Sequence, residues 1–208
     1  QGVSGTQDFV VLAYGKLGGI ELNYGSDLDL VFIHEGDAEL DSTGGAAGQI
    51  NSGAFYVQLG QKFLSLLGTH TLTGKLYEID LRLRPSGASG ALVCSTEAFE
   101  RYQQEGAWTW EHQALVRARM VAGSAALGEK FNRIRNVVLG KTRDQKVLEQ
   151  DIVNMRMRMR KELGSKPKAA TFHLKQDAGG LVDIEFIVQY LVLARADAHP
   201  QMLSWTDN

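Results

Sequence analysis

Two aspartates one residue apart, in Ser26-Asp27-Leu28-Asp29-Leu30, are the residues of this chain best spaced to do chemistry together. Side chains alternate along a β-strand, so Asp27 and Asp29 share a face about 6–7 Å apart along the backbone. Leu28, Leu30 and Phe32 then point the other way, into a core. Carboxylates held side by side repel one another, and their hard oxygens favour magnesium as the relieving cation. A second stretch, Tyr77-Glu78-Ile79-Asp80-Leu81-Arg82-Leu83-Arg84, sets Glu78, Asp80, Arg82 and Arg84 on one face of another strand. If the strands are neighbours, Asp80 joins the pair. Three carboxylates can hold two magnesium ions so as to stabilise the entering and leaving oxygens of an in-line displacement at phosphorus. Arg82 and Arg84 would suit the departing phosphates, because a planar guanidinium matches phosphate oxygens.

Upstream, Gly15-Lys16-Leu17-Gly18-Gly19 forms a glycine-rich turn whose N–H groups could face a phosphate, and Ser26 adds a hydroxyl just before the aspartates. The expected nucleotide-binding set is Gly15, Lys16, Gly18, Gly19, Ser26, Arg82 and Arg84; Asp27, Asp29 and Asp80 are the expected catalytic and metal-binding residues. The turn is not a Walker loop, since Leu17 follows Lys16 where that motif needs Ser or Thr. Plainer uses exist for each part. The turn can be a tight strand connection, Asp27 can cap a turn, and Asp29 or Asp80 can pair with Arg82 or Arg84. The combination of all of them favours the phosphoryl-chemistry reading.

The elements that must position these residues follow from periodicity. Residues 9–14 are an apolar run of strand length, 28–34 the next strand, and 75–84 an alternating, half-buried strand closed by Pro85-Ser86-Gly87. Residues 54–69 have a helical pattern, and 35–53, rich in Gly, Asp, Ser and Ala, read as a surface loop. Beyond Ser95 the chain is almost wholly helical, with segments expected at 96–105, 107–119, 125–139, 145–163 and 181–194. In the fourth, Leu148, Ile152, Met155 and Met159 make one apolar stripe, a core face rather than a cofactor site. Arg156, Arg158, Arg160 and Lys161 read as a solvated face, with contact to an acidic partner as the alternative. The architecture therefore divides into residues 1–95 and a helical region, 96–208.

Composition narrows the class. The 208 residues, 44% hydrophobic, can fill a real core, and 22 basic against 24 acidic residues give a net charge of -2. That balance, without basic and aromatic residues interleaved, argues against a nucleic-acid partner. No apolar run approaches the roughly 20 residues that span a bilayer, and no signal peptide is evident, so a membrane partner is not expected. A single cysteine, Cys94, suits a reducing cytoplasm. His34, His70, His173 and His199 lack ligand-like spacing, so zinc is not implied. Trp108, Trp110 and Trp205 read as packing anchors between helices. Asp183 and Glu185, at i and i+2 on a helix, make no metal pair and read as salt-bridge or capping groups, as do Glu111 and His112. The chain begins Gln1-Gly2 and ends Thr206-Asp207-Asn208 just after a helical segment, which reads as a piece of a longer protein truncated in its helical region.

Tyr14-Gly15-Lys16-Leu17-Gly18-Gly19-Ile20-Glu21-Leu22 and Gly25-Ser26-Asp27-Leu28-Asp29-Leu30 together resemble the bacterial glutamine synthetase adenylyltransferases. The stretch from Tyr77 through Pro85-Ser86-Gly87 resembles that family's third-carboxylate strand. Trp108-Thr109-Trp110-Glu111-His112-Gln113-Ala114-Leu115-Val116-Arg117-Ala118-Arg119 and Gly179-Gly180-Leu181-Val182-Asp183-Ile184-Glu185-Phe186 resemble its helical signatures. The resemblance implies an α+β nucleotidyltransferase (polymerase-β-like) fold, a mixed sheet with helices, followed by an all-helical region packing beside the active site. Family members carry two such domains, one removing AMP from glutamine synthetase by phosphorolysis and one attaching AMP from ATP. This chain resembles the second, on Pro85-Ser86-Gly87, where the removing domain usually has Phe for Ser, and on the long signature at 108–119.

The resemblance further implies transfer of AMP from ATP to a synthetase tyrosine, with release of pyrophosphate and lowered synthetase activity when nitrogen is plentiful. Magnesium would lie on Asp27, Asp29 and Asp80, with Asp80 the candidate base for the tyrosine proton. The regulatory PII protein would act through the full-length enzyme. Three rivals remain: phosphorolytic removal of AMP, a polynucleotide-directed transferase, which the charge balance opposes, and a module that binds nucleotide or synthetase without catalysis.

Overall fold

The structure is a computed structural model and describes residues 8–35, 50–72, 74–165 and 171–204. Strand β1 (Phe9–Ala13) is buried throughout, as its unbroken apolar sequence requires. It pairs antiparallel with β2 (Leu28–His34), from Phe9 opposite His34 to Ala13 opposite Leu30. The other edge of β2 carries two short parallel partners, β3 (Ile79–Asp80) at its start and β4 (Val93–Ser95) at its end. The other edge of β1 is filled by β5 (Arg119–Gly123), antiparallel, with an irregularity between Val11 and Leu12. The path is β3-β2-β1-β5, with β4 also on β2. The chain thus builds a mixed sheet, and seven α-helices accompany it among the described residues.

Residues 15–18 form a single helical turn, α1 (Gly15–Gly18), where a bare glycine turn was expected. Parallel pairing needs a long crossover, and α2 (Ser52–Leu67) lies within the one that leads from β2 to β3. Its N-cap is Asn51, whose side chain accepts from the Gly53 N–H at 2.9 Å. It contributes Tyr56 to a core with Phe9, Val11, Ala13, Leu28, Leu30, Phe32 and Val93, and Tyr56 stacks between Phe9 and His34. Leu28, Leu30 and Phe32 therefore face inward as their alternation predicts. Of the loop expected at 35–53, residues 36–49 lie outside the described residues, while Ser52 and Gly53 already belong to α2.

By its contacts the chain forms two units, and they do not divide at residue 95. The first holds the described residues up to 107 together with 117–135, and the second holds 108–116 and 136–204. The reason is β5, which completes the sheet from within a stretch expected to be helical. The 107–119 segment shortens to α4 (Thr109–Leu115), after which the chain turns into the strand. Upstream, α3 (Thr96–Arg101) runs into a wider π-turn at Tyr102–Gly106, so the expected 96–105 helix is two pieces. The helix α5 (Ala125–Leu139) has the expected bounds, and its residues 125–135 belong to the first unit.

The second unit is helical. It holds α4, α6 (Gln145–Leu163) and α7 (Leu181–Arg195). Leu148 and Ile152 are buried as the stripe on α6 predicts. The neighbouring Arg156 is not simply solvated: its Nε meets Asp183 Oδ1 at 2.5 Å and its Nη2 donates to the Gln176 carbonyl at 2.8 Å. Asp183 also accepts from the Gly179 N–H at 2.6 Å, so it is the salt-bridge group expected. Thr109 donates to Asp151 at 2.6 Å, tying α4 to α6, and Gln113 donates to Gln189 at 3.0 Å, tying α4 to α7. Glu111 is buried and accepts from the Trp108 N–H at 2.9 Å, a capping role. Trp108 itself is 71% exposed, which corrects its reading as a packing anchor. Trp110 is half-buried, and Trp205 lies outside the described residues.

Candidate active site

The two carboxylate stretches do meet. In the parallel ladder of β2 and β3, Leu28 stands opposite Ile79 and Asp29 opposite Asp80. The Leu28 N–H donates to the Glu78 carbonyl at 2.8 Å, which fixes that register. Opposed residues share a face on strands about 4.8 Å apart, so Asp29 and Asp80 are side by side. Asp27 precedes the first residue of β2, on Asp29's side by alternation, and is exposed. Behind them, the Tyr14 N–H donates to the Asp29 carbonyl at 2.9 Å.

The third stretch is shorter than its alternation implied. Only Ile79 and Asp80 are strand, because Pro85 and the left-handed Ser86 (φ 61) and Gly87 (φ 56) turn the chain away. The arginines are consequently not lined up beyond Asp80. Arg82 folds back onto it: the backbone N–H donates to Oδ1 at 2.8 Å, Nε lies 2.8 Å from Oδ2, and Nη2 completes the ion pair. Arg84 turns to carbonyls, donating to Leu81 at 2.8 Å, Ala88 at 3.0 Å and Gly90 at 3.2 Å. It builds the turn at residues 85–90. Glu78 is exposed and pairs with Lys75 at 2.5 Å.

The electrostatics follow from this geometry. The hydrogen bond from Arg82 holds the Asp80 carboxyl below the usual carboxylate range, so Asp80 is ionised at neutral pH. Asp80 in turn raises Arg82, with smaller contributions from the charges of Asp29 and Asp27. One guanidinium thus lies in the field of all three carboxylates.

Gly15, at φ +53, presses its backbone on Asp29: a Cβ there would stand 2.3 Å from Oδ2. Gly18 and Gly19 answer to packing on another side. A Cβ at 18 would lie 2.1 Å from the Arg117 carbonyl oxygen, and one at 19 the same distance from Arg117 Nη2. Lys16 Nζ reaches Ser26 Oγ at 3.5 Å, and the buried Ser26 hydroxyl donates to Asn23 Oδ1 at 2.5 Å. Asn23, which sequence reading passed over, orders the approach to Asp27. Arg117 and Arg119 were not picked out as site residues either, since the segment reads as helical up to Arg119.

Whether these residues suit magnesium can be judged from the donors present. All are carboxylate oxygens, and Asp29 and Asp80 stand at one register position, which fits a hard cation. Among the described residues no three His, Cys, Asp or Glu side chains are gathered closely enough to hold an ion as they stand. Arg82 engages both oxygens of Asp80, so an ion there would share those oxygens with Arg82 or displace its side chain.

Paired aspartates on a mixed sheet beside a glycine turn make the candidate site, and the class of protein follows from relatedness: the chain is a domain of an adenylyltransferase enzyme. Residues 1–134 match the family model described as glutamate-ammonia ligase adenylyltransferase, and the chain belongs to that family. Among its relatives, the bifunctional glutamine synthetase adenylyltransferase/adenylyl-removing enzyme of Pseudomonas putida is 53% identical over 96% of this chain. Those bearing the same name in Thioalkalivibrio sulfidiphilus and Shewanella woodyi are 54% identical over 96% of this chain and 52% identical over 100% of it. The chain spans about a fifth of the length of these relatives, 21%, 20% and 22% respectively. Among the described residues no helix is long and apolar enough to cross a membrane.

Proposed function

We propose that this chain is the adenylyl-attaching nucleotidyltransferase domain of its family, moving AMP from ATP to a tyrosine hydroxyl of glutamine synthetase and releasing pyrophosphate. The fold proposed is the polymerase-β-like one. The observation that carries this reading is the register of Asp29 against Asp80, with Gly15 packed on the Asp29 carboxylate. That register brings together carboxylates far apart in sequence beside a turn suited to nucleotide phosphates.

Asp27, Asp29 and Asp80 would hold magnesium, which when bound supplies the positive charge that phosphoryl transfer needs. Asp29 is fixed from behind by the sheet and by Gly15, so its oxygens are set before substrate arrives. Asp80 would take the tyrosine proton only once Arg82 has let go, because the hydrogen bond that lowers its pKa also weakens it as a base. Lys16 is the side chain offered to the nucleotide from the turn side, and Ser26, buried and bonded to Asn23, sits within reach of its ammonium. Arg82 is exposed on its outer side and meets phosphates once it leaves Asp80. Arg84 serves indirectly, holding the turn that ends β3. The enzyme is placed in the cytoplasm, with PII acting through the full-length protein.

The direction rests on Pro85-Ser86-Gly87 and the 108–119 signature. The reverse reaction, phosphorolysis of adenylylated synthetase to ADP, is the second reading, because the relatives' name carries both activities. Mixing the protein with unmodified synthetase, ATP and magnesium, with Asp29→Asn as control, separates them. A gain of one AMP per modified subunit with pyrophosphate release, lost in the variant, supports attachment. Stripping of AMP by orthophosphate with no attachment would reverse the direction, and inactivity both ways would leave a binding-only module.

A further inference from the structure

Arg117 and Arg119 have no part in the chemistry above, yet both reach the glycine turn from about a hundred residues away. Arg119 opens β5 opposite Ala13, the last residue of β1. From there its guanidinium forks across two successive carbonyls at the end of α1: Nε donates to Gly18 at 3.0 Å and Nη2 to Leu17 at 3.0 Å. Arg117 pairs with Glu21 at 2.5 Å and fills the space that side chains at 18 and 19 would need.

The same turn is fastened at its other end to Asp29, through the Tyr14 N–H and the close approach of Gly15 to Oδ2. Residues 14–21 are thus held between a site carboxylate and two arginines. Without the arginine end, the turn would be anchored only at Asp29, and Lys16 and Gly15 would be free to shift against it. A planar fork bridges two adjacent carbonyls in a fixed geometry, whereas the three rotatable donors of lysine leave that geometry unset.

We infer that Arg119, backed by Arg117, is a positioning residue for nucleotide binding: it sets the glycine turn against Asp29. This rests on the reading of that turn as the nucleotide site. The contact is made through carbonyl oxygens, which face away from an anionic ligand, so Arg119 acts through the turn rather than on the nucleotide.

The test uses the full-length enzyme with Arg119→Lys, Arg119→Ala and Glu21→Gln. ATP affinity is measured by calorimetry without synthetase, beside KM for ATP, kcat and thermal unfolding. Arg119→Ala is expected to weaken ATP binding about tenfold or more, the scale of losing one hydrogen bond to a charged group when Lys16 and the turn are misplaced. Arg119→Lys should recover part of that loss. The change should appear in KM with kcat at saturating ATP nearly unaltered, and Glu21→Gln should give a smaller effect of the same sign. Wild-type ATP affinity in Arg119→Ala, or affinity lost only in step with the folded fraction, overturns the inference and leaves the proposed function standing. A wild-type enzyme that binds no ATP overturns both.

Discussion

Substituting Gly15 by Ala tests the contact on which the site geometry depends. Two costs are separable. Gly15 sits at φ +53, where any side chain costs about 1–2 kcal/mol. The new Cβ would also stand 2.3 Å from Asp29 Oδ2. Relieving that overlap means moving a strand-borne carboxylate or the turn, an overpacking cost of about 1–3 kcal/mol. Gly25 provides the internal control, with φ +76 and nothing within 4 Å of its own Cβ position. Gly25→Ala should cost only the first amount, about 1–2 kcal/mol, whereas Gly15→Ala should cost about 2–5 kcal/mol in total. Removing the obstructing oxygens with Asp29→Ala should make Gly15→Ala cheaper, by a coupling energy of about 1–3 kcal/mol. Urea unfolding of the four proteins in that cycle reads this number directly. Transfer activity should fall about a hundredfold in Gly15→Ala, from displacement of Asp29 by roughly an ångström. A coupling energy under about 0.5 kcal/mol, within ordinary additivity error, would show that the turn does not brace Asp29.

Asp29→Asn and Asp80→Asn should each abolish AMP transfer while leaving circular dichroism and unfolding midpoint near wild type; a transferring variant removes that residue from the site. Arg82→Gln should raise the Asp80 pKa toward its ordinary value, since its hydrogen bond is the chief cause of the depression. A depressed carboxylate stabilises the fold above its unfolded pKa and loses that contribution as pH falls through the folded value. Acid unfolding of Arg82→Gln should therefore begin at higher pH, and an unchanged Asp80 titration by carbon-13 NMR would contradict the ion pair. Arg156→Ala should destabilise the second unit by about 2–4 kcal/mol, because it strips Asp183 of its half-buried partner; protease susceptibility of α6 and α7 would register it. Tyr56→Phe should be neutral or mildly stabilising by thermal melt, because the buried phenol oxygen has no hydrogen-bond partner among the described residues.

The strands that carry the aspartates were legible because their patterns were unambiguous. Phe9–Ala13 and Leu28–His34 are apolar runs interrupted by Asp29 and ended by His34, and β2 has the bounds its pattern implies. The long helices were legible for the same reason, with α5 and α6 starting and stopping where periodicity does. What failed was short. β3 is two residues because a ladder is set by its neighbour as much as by its own alternation, and the turn at Pro85 had already begun. β5 stayed hidden because Arg119-Met120-Val121-Ala122-Gly123 has one β-branched residue and follows a helical pattern without a break. The candidate carboxylates were all read from spacing, and the Asp80–Arg82 pair was among the plainer uses their types allowed; the carbonyl partners of Arg84 were not foreseen. Contacts to carbonyls across a turn depend on backbone direction, which residue type does not disclose.

Arg82 and Arg84 show what that missing information decides. Both were assigned to phosphate on the strength of charge and alternation, yet their surroundings differ. Arg84 is held by three backbone carbonyls, and withdrawing it would leave those groups unsatisfied and open the turn that ends β3. Arg82 is held by one carboxylate, with its side chain 80% exposed. A surface pair of that kind contributes little to stability, so releasing it costs little. Its value lies elsewhere: three carboxylates in one field repel, and a guanidinium among them offsets part of that repulsion in the ion-free protein. On the function proposed, Asp27, Asp29 and Asp80 would hold a divalent ion, and Arg82, sharing the Asp80 oxygens, is the arginine able to turn to an anion nearby. Of the two arginines, the weakly held one is the one suited to exchange partners during a catalytic cycle.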